Sequence, residues 1–388
     1  MFQGKTVLLQ MQSLISRYDF QKLVSEYHGD RGIRVLSTRN LLSIMLYVHV
    51  AAKRSLRDII CSLESKAHLW YHLGLKALSR NNLAHAMRNR SAQIFEKTFY
   101  LLLEKLQSQR PLTKDVRFRF KMPVKSIDST TISLCLSLFD WARFRQAKGG
   151  IKLHVMYDNR SQAPDFVNIT EAKRHDVAVA DSFPITSGSV YVMDKGYMSF
   201  SLFRKIAEKG AYFVTRTKIN TQYRIIQRRP KYGSSIKSDW IVTLSSYRSK
   251  EYPEQLRVVR YRDPETGIVY EFLTNNFSLS AQSIADIYKS RWDIELFFRW
   301  IKQNLKVKTF IGTSENAVLV QIWNAMIAYL LIEYIRFISS TSHSLLTVFR
   351  LISVNILSTV GLDSILNGKP PDRIKKTYCD EMQLEWNF

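Results

Sequence analysis

The sequence predicts an α/β protein with three parts: an all-helical N-terminal domain, a mixed-sheet core, and a β-rich insertion that splits the core in two. Three observations carry this. Through residue 107 apolar residues recur three and four apart, the period of a buried helix face. Between residues 122 and 217 the period drops to two, in short strand-like runs punctuated by helical segments. From residue 218 to 276 β-formers, Tyr, Arg and Ser predominate, with turn signals at residues 230–233 (PKYG) and 263–267 (DPETG).

Taken in order, residues 1–107 show the helical spacing in Leu41, Leu42, Met45 and Leu46, and again in Ile94, Phe95, Phe99, Leu102 and Leu103. Ser37 and Ser55 stand where N-caps belong, because a serine oxygen can accept from the unpaired amides of a first helical turn. Two short segments, residues 55–63 and 80–90, flank a His- and Leu-rich connection. The second (RNNLAHAMRNR) sets Arg and Asn on one side and Leu83, Ala84 and Met87 on the other. A cationic helix after another short helix fits a helix-turn-helix reader of a DNA groove, and equally a helical bundle with a basic outer face.

Residues 108–121 (SQRPLTKDVRFRFK) are polar and basic with one Pro, and read as a linker. Residues 123–128, 151–158 and 165–170 read as strands. A helical segment at 171–181, a strand at 189–194, a helix at 200–209 and a strand at 211–215 follow. That order suits a ribonuclease-H-like fold among other mixed sheets. In the insertion, strands are expected at 241–244, 256–261 and 269–273. The core resumes over residues 277–340. Residues 341–388 form a helical C-terminal region with a Pro-Pro pair at 370–371 and a tail of mixed charge.

Lys and Arg number 57 against 33 Asp and Glu, a formal charge of +24 on a chain that is 46% hydrophobic. A folded protein with that surplus calls for a polyanionic partner, nucleic acid first and an anionic membrane surface second. Cys61, Cys135 and Cys379 are far apart and form no CxxC pair, which fits buried or incidental thiols in a reducing cytoplasm. The N-terminus lacks the pattern of a signal peptide. The most apolar stretch, residues 317–332, is interrupted by Gln321 and Asn324; it is short and polar for a membrane span and is expected to be a core helix.

Residues 287–308 (IYKSRWDIELFFRWIKQNLKVK) hold the densest constellation of chemistry, and without Pro or Gly they read as one helix. At about 100° per residue, Tyr288, Arg291, Glu295, Arg299, Lys302 and Lys306 share a stripe, with Ile294, Phe297, Trp300 and Ile301 opposite. The stripe is either a solvated face of ion pairs four apart or a metal-binding carboxylate set among cations that grip phosphate. Asp128 closes one strand-like run (SID) and Asp194 another (YVMD). Each is either a ligand at a strand end or a turn or helix cap, and Asp158 ends a third such run. Lys148, Lys152 and His154 (KGGIKLH) and His175 with Asp176 (KRHD) lie near the expected sheet but stay outside the catalytic set. No GxxxxGK[ST], GxSxG or HExxH motif occurs.

Tyr288, two residues, Arg291, three residues, Glu295, six residues, Lys302 resembles the YREK signature of DDE transposases of the IS-four insertion-sequence group. IDST at Asp128 resembles that group's first-Asp segment, and MDKGY at Asp194 its second. The separations of the three acids, 66 and 101 residues, leave room for an insertion before the Glu helix. The resemblance spans residues 120–310 and implies a ribonuclease-H-like catalytic core. In it Asp128, Asp194 and Glu295 would bind two divalent ions, Mg2+ with Mn2+ as the alternative. Tyr288, Arg291 and Lys302 would contact phosphates at the element's end; Trp292 would stack on a displaced base, or simply pack. The implied activity is cut-and-paste transposition on double-stranded DNA, with terminal inverted repeats and target DNA as partners and a homodimer in the DNA complex. The implied setting is a bacterial cytoplasm, at the nucleoid when DNA is bound, with no membrane partner. The rivals are a nuclease of the same fold that cuts without joining and a non-catalytic, transposase-derived DNA-binding protein.

Overall fold

The structure, a computed structural model, describes residues 5–75, 78–109, 118, 120–135, 139–145, 148–245, 251–305 and 309–368. Most of the expected linker, Lys306, and the Pro-Pro pair with the tail lie outside the described residues.

Among the described residues, seven α-helices precede the sheet: α1 (Val7–Gln12), α2 (Arg17–Glu26), α3 (Thr38–Val50), α4 (Leu56–Glu64), α5 (Trp70–Leu73), α6 (Arg80–Asn89) and α7 (Ala92–Gln109). Ser37 and Ser55 cap α3 and α4 as expected, their hydroxyls accepting from the amides of Asn40 and Asp58 at 3.2 and 3.1 Å. On α6 the buried side chains are Leu83, Ala86 and Met87. Ala84 is exposed, and Arg90 is buried with its guanidinium donating to the Leu36 carbonyl at 2.8 Å. The expected division of faces is thus rotated by one position, because the 3–4 spacing from Leu83 selects 86 and 87.

The strands are β1 (Val124–Leu134), β2 (Arg143–Arg145), β3 (Lys148–Asp158), β4 (Ala163–Glu171), β5 (Val190–Met193), β6 (Tyr212–Arg216), β7 (Tyr223–Arg228), β8 (Ile236–Leu244), β9 (Leu256–Arg262) and β10 (Val269–Thr274). Between them lie α8 (Asp176–Val179) and α9 (Phe200–Glu208). The order β4-β3-β1-β5-β6, antiparallel over the first three and parallel from β1 through β6, is a ribonuclease-H-like sheet. β10 pairs antiparallel with β6, and the sheet continues β10-β9-β8-β7. The insertion therefore lengthens the core sheet, covering the open edge that the parallel strand β6 would otherwise present. Sequence periodicity missed β7, an edge strand whose Arg-rich residues are exposed almost throughout and so do not alternate. The helix expected at 171–181 shrinks to α8 and a 3-10 turn at Ala180–Ser182.

After the insertion come α10 (Ala281–Ser290), α11 (Trp292–Asn304), α12 (Glu315–Ile338), α13 (Leu345–Asn355) and α14 (Leu362–Asn367). On one face of the sheet α10 sets Ile284, Ala285 and Ile287 against Val124, Val190, Val192, Val214 and Phe272. On the other, α9 sets Leu202, Phe203 and Ile206 against Ile127, Tyr191, Met193 and Phe213. This two-sided cover explains why β5 reads VYVM with no polar alternation. In the insertion the buried Arg257 pairs bidentately with Asp239 at 2.8 and 2.7 Å and also donates to the carbonyls of Asn276 and Leu279, which lead into α10.

The apolar stretch expected at 317–332 is a 24-residue helix, α12, long and apolar enough by composition to cross a bilayer. It lies inside the protein instead, with 94% of its most apolar window buried. Its side chains share one core with α3, α6, α7, α11 and α13. Gln321 is tolerated there because its amide donates to the Thr309 carbonyl (2.7 Å) and accepts from the Ile311 amide (3.0 Å). Cys61 and Cys135 are exposed rather than buried; Cys379 lies outside the described residues.

Candidate active site

In the parallel pair of β1 and β5, Ile127 stands opposite Met193. Asp128 is the next residue on β1, where the pleat turns it toward the face that α10 and α11 cover; Asp194 follows the end of β5 and opens the turn Lys195–Tyr197, close enough for its charge to act on Asp128. Asp158 is separated from them: it lies opposite Lys125, and its carboxylate accepts from the Arg160 amide (2.9 Å) in the turn to β4. That makes it a turn residue.

The expected single helix over 287–308 is broken at Arg291, which ends α10 and begins α11. The break has a tertiary cause. The Ser290 carbonyl accepts from Asn159 Nδ2 at 2.7 Å, while the Ile294 amide turns to the Arg291 carbonyl at 3.3 Å, a tighter turn than the α-helical one. Asn159 is itself fixed by Ser126, whose hydroxyl donates to it at 2.7 Å. Sequence reasoning had no means of finding Asn159, a lone buried amide in a turn with no motif around it.

The break aims Arg291 at the carboxylates. Its Nη1 donates to Asp128 Oδ2 at 2.9 Å and its Nη2 to Glu295 Oε1 at 2.5 Å. The Tyr288 ring packs on Phe272, centroids 4.7 Å apart, and the Arg291 guanidinium lies 5.8 Å from the Tyr288 centroid. Farther along α11 the Lys302 ammonium donates to the Thr130 hydroxyl on β1, two residues beyond Asp128. Arg291 and Lys302 therefore reach β1 directly and Glu295 joins it through Arg291, while Tyr288 packs on β10. Trp292 is 49% exposed, with the Arg299 guanidinium 5.8 Å from its ring. Arg299, expected on the same stripe as Glu295, is turned to solvent.

The electrostatics follow. Burial, reinforced by the nearby charges of Asp194 and Glu295, pushes the Asp128 carboxyl up to about 6, against the opposing pull of the Ser129 amide and Arg291. Burial works against the Arg291 charge, but Asp128 and Glu295 more than offset it and raise its pKa. Burial likewise raises the Tyr288 phenol. The cluster is short of positive charge even with Arg291 in place.

That deficit bears on a cation. The donors are all carboxylate oxygens, the set a hard divalent ion takes. Among the described residues no three His, Cys, Asp or Glu side chains are yet gathered as a metal site. The Arg291 guanidinium stands between Asp128 and Glu295 and supplies the positive charge there. The residues fit a divalent ion in chemistry, with Arg291 as its stand-in.

The family model described as Transposase DDE domain matches residues 119–331, and one described as a domain of unknown function matches residues 3–76. The putative transposase y4zB of Sinorhizobium fredii is 38% identical over 256 residues, covering 65% of this chain and 70% of the relative. The probable transposase for insertion sequence element IS5377 of Geobacillus stearothermophilus is 30% identical over 331 residues, 84% of this chain and 83% of the relative. A putative transposase for insertion sequence element IS4SA of Synechocystis is 24% identical over 260 residues, 65% of this chain and 70% of the relative. With the DDE domain matching over half its length and insertion-sequence enzymes matching along most of it, this chain belongs to the DDE transposases of insertion sequences.

Proposed function

We propose that this transposase moves its element by metal-dependent cut-and-paste transposition: it binds terminal inverted repeats, cleaves the DNA strands there and joins the freed ends to target DNA. The observation that carries the reading is the meeting of Asp128 and Glu295 at Arg291, with Asp194 just past the end of the paired strand β5 and close enough for its charge to act on Asp128. Asp128, Asp194 and Glu295 would hold the divalent ions, Mg2+ or Mn2+, which would supply activation of the attacking oxygen and stabilisation of the departing one.

The chain's own residues prepare that step. Tyr288 on Phe272 forms a rigid wall beside the carboxylates. Arg291 presents a planar guanidinium that suits a phosphodiester as well as it suits two carboxylates. When a DNA end arrives, its phosphate competes for Arg291 and releases Asp128 and Glu295. Lys302 exchanges its Thr130 hydroxyl for a second phosphate. Trp292, half exposed, is accessible to a displaced base. Residues 1–107 recognise the DNA ends, residues 122–217 with 277–340 form the catalytic core, 218–276 the insertion and 341–388 the C-terminal region. Two ends must be processed together, so the working form on DNA is a homodimer, in a bacterial cytoplasm and at the nucleoid.

The test is cleavage of a labelled duplex from the DNA flanking the gene, with Mg2+, by wild type and Glu295→Gln. Cutting by wild type alone, with joined product in a plasmid assay, supports the proposal. Equal cutting by both removes Glu295 from the site, and cutting without joining reduces the activity to that of a nuclease.

A further inference from the structure

The middle of β1, which carries Asp128, and the turn after β5, which begins at Asp194, are tied together on the reverse face of the sheet. Ser129 is directly opposite His154 in the pairing of β1 and β3. Its amide donates to Asp128 Oδ1 at 2.8 Å, and its hydroxyl donates to Asp176 Oδ1 at 2.7 Å. Asp176, at the start of α8, is held in turn by Lys152 at 3.3 Å and lies 3.6 Å from His154 Nδ1. His154 is fully buried, with its two ring nitrogens at the Tyr197 hydroxyl (3.3 Å) and the Thr170 hydroxyl (3.0 Å).

Tyr197 closes the connection. It lies in the 3-10 turn Lys195–Tyr197 that follows Asp194, is 1% exposed, and its hydroxyl meets His154 Nδ1 at 3.3 Å, the ring nitrogen that lies 3.6 Å from Asp176. In the same turn, a Cβ at Gly196 would lie 3.7 Å from Asp176 Oδ2 and 3.8 Å from Asp194 Oδ2, so the two carboxylates flank that glycine. Lys152, His154 and Asp176 come from two separate stretches of sequence, and neither stretch belongs to the Asp, Asp and Glu segments.

We infer that Asp176 is a positioning residue: through Ser129 it orients the Asp128 carboxylate and through His154 and Tyr197 it fixes the turn after Asp194, so that one residue sets the geometry of both acids. This rests on the reading of Asp128 and Asp194 as ligands of a divalent ion. Partners that orient ligating carboxylates govern metal affinity by about 10–100-fold when removed.

The experiment is a Mn2+ titration of the full chain bound to the gene-flanking duplex, for wild type, Asp128→Asn, Asp176→Asn and Tyr197→Phe. Mn2+ affinity and the Mn2+ dependence of cleavage are both read. The inference expects Mn2+ affinity about tenfold or more weaker in Asp176→Asn and weakened in Tyr197→Phe, with cleavage at saturating Mn2+ largely restored. A merely structural role would lower the active fraction and leave the Mn2+ constant unchanged. Wild-type Mn2+ affinity in folded Tyr197→Phe and Asp176→Asn overturns the inference; if Asp176→Asn does not fold, Tyr197→Phe decides alone. Mn2+ binding that is absent from wild type, or untouched by Asp128→Asn, overturns the underlying reading of the site instead.

Discussion

Replacing Arg291 by Gln should weaken the DNA-free protein and at the same time make it more responsive to metal. The side chains of Arg291, Asp128 and Glu295 are 16%, 19% and 32% exposed. Breaking a fully buried ion pair costs roughly 3–5 kcal/mol and an exposed one less than about 1 kcal/mol. For this partly solvated pair of contacts about 2 kcal/mol is the appropriate loss. A chain of this length unfolds with an entropy of roughly 0.8 kcal/mol per degree, so the melting temperature should fall by about 2–3 °C. Added Mn2+ then meets carboxylates with no guanidinium to displace. At ten times its dissociation constant it returns about 1.4 kcal/mol, or roughly 2 °C. Wild type, where the ion must first displace Arg291, gains less at the same concentration. Thermal unfolding of both proteins at pH 8, with and without Mn2+, makes the comparison. If Mn2+ raises the wild-type midpoint as much as that of Arg291→Gln, the guanidinium and the ion do not compete, and its role as a stand-in is refuted.

Asp128→Asn should abolish cleavage while DNA-end binding survives, read by gel shift beside the cleavage assay. Because the folded-state pKa of Asp128 is raised to about 6 from 3.8, the folded protein holds that proton more tightly than the unfolded chain. Its contribution favours folding most at low pH and is lost as pH rises from about 4 to about 6, by roughly 3 kcal/mol in all. Denaturant melts at pH 5 and 8 should therefore show Asp128→Asn gaining on metal-free wild type at pH 8; parallel curves would contradict the pKa. Lys302→Ala should weaken end binding and make log affinity against log salt shallower by about one unit, as loss of one phosphate contact requires. An unchanged slope removes that contact. Asp239→Asn strands the buried Arg257 and should destabilise the protein by about 3–5 kcal/mol, and a urea midpoint within error of wild type would contradict this.

The sheet was legible where burial is two-sided or cleanly alternating. β5 (VYVM) announces itself by an apolar run, β9 (LRVVRYR) by its β-branched and aromatic residues, and β1 by the alternation that ends in SID, although the strand continues six residues past Asp128. β7 was illegible because an edge strand with both faces in solvent has no pattern to show. Within the site, the fixed spacing of Tyr288, Arg291, Glu295 and Lys302 singled out four side chains, of which Arg291 and Lys302 reach β1, Glu295 meets Arg291 and Tyr288 packs on β10. The break at Arg291 was beyond reach, because it depends on Asn159, more than a hundred residues away, capturing one carbonyl. Asp176 was passed over for a similar reason. Its importance lies in what Ser129, Lys152 and His154 bring to it from two other segments, and no local window holds them together.

The placement of α12 has a consequence for how the chain is made. Helices α3, α6 and α7 bury their apolar faces against a partner that leaves the ribosome only after the whole sheet and insertion have been synthesised. At about 5–20 residues per second, more than two hundred residues of delay leave those faces without their partner for roughly 10–40 s. During that interval the nascent N-terminal half exposes apolar surface suited to chaperones or to aggregation. Chains released before residue 315 would have no route to a closed core, so premature termination should yield insoluble or degraded fragments rather than a free DNA-binding domain.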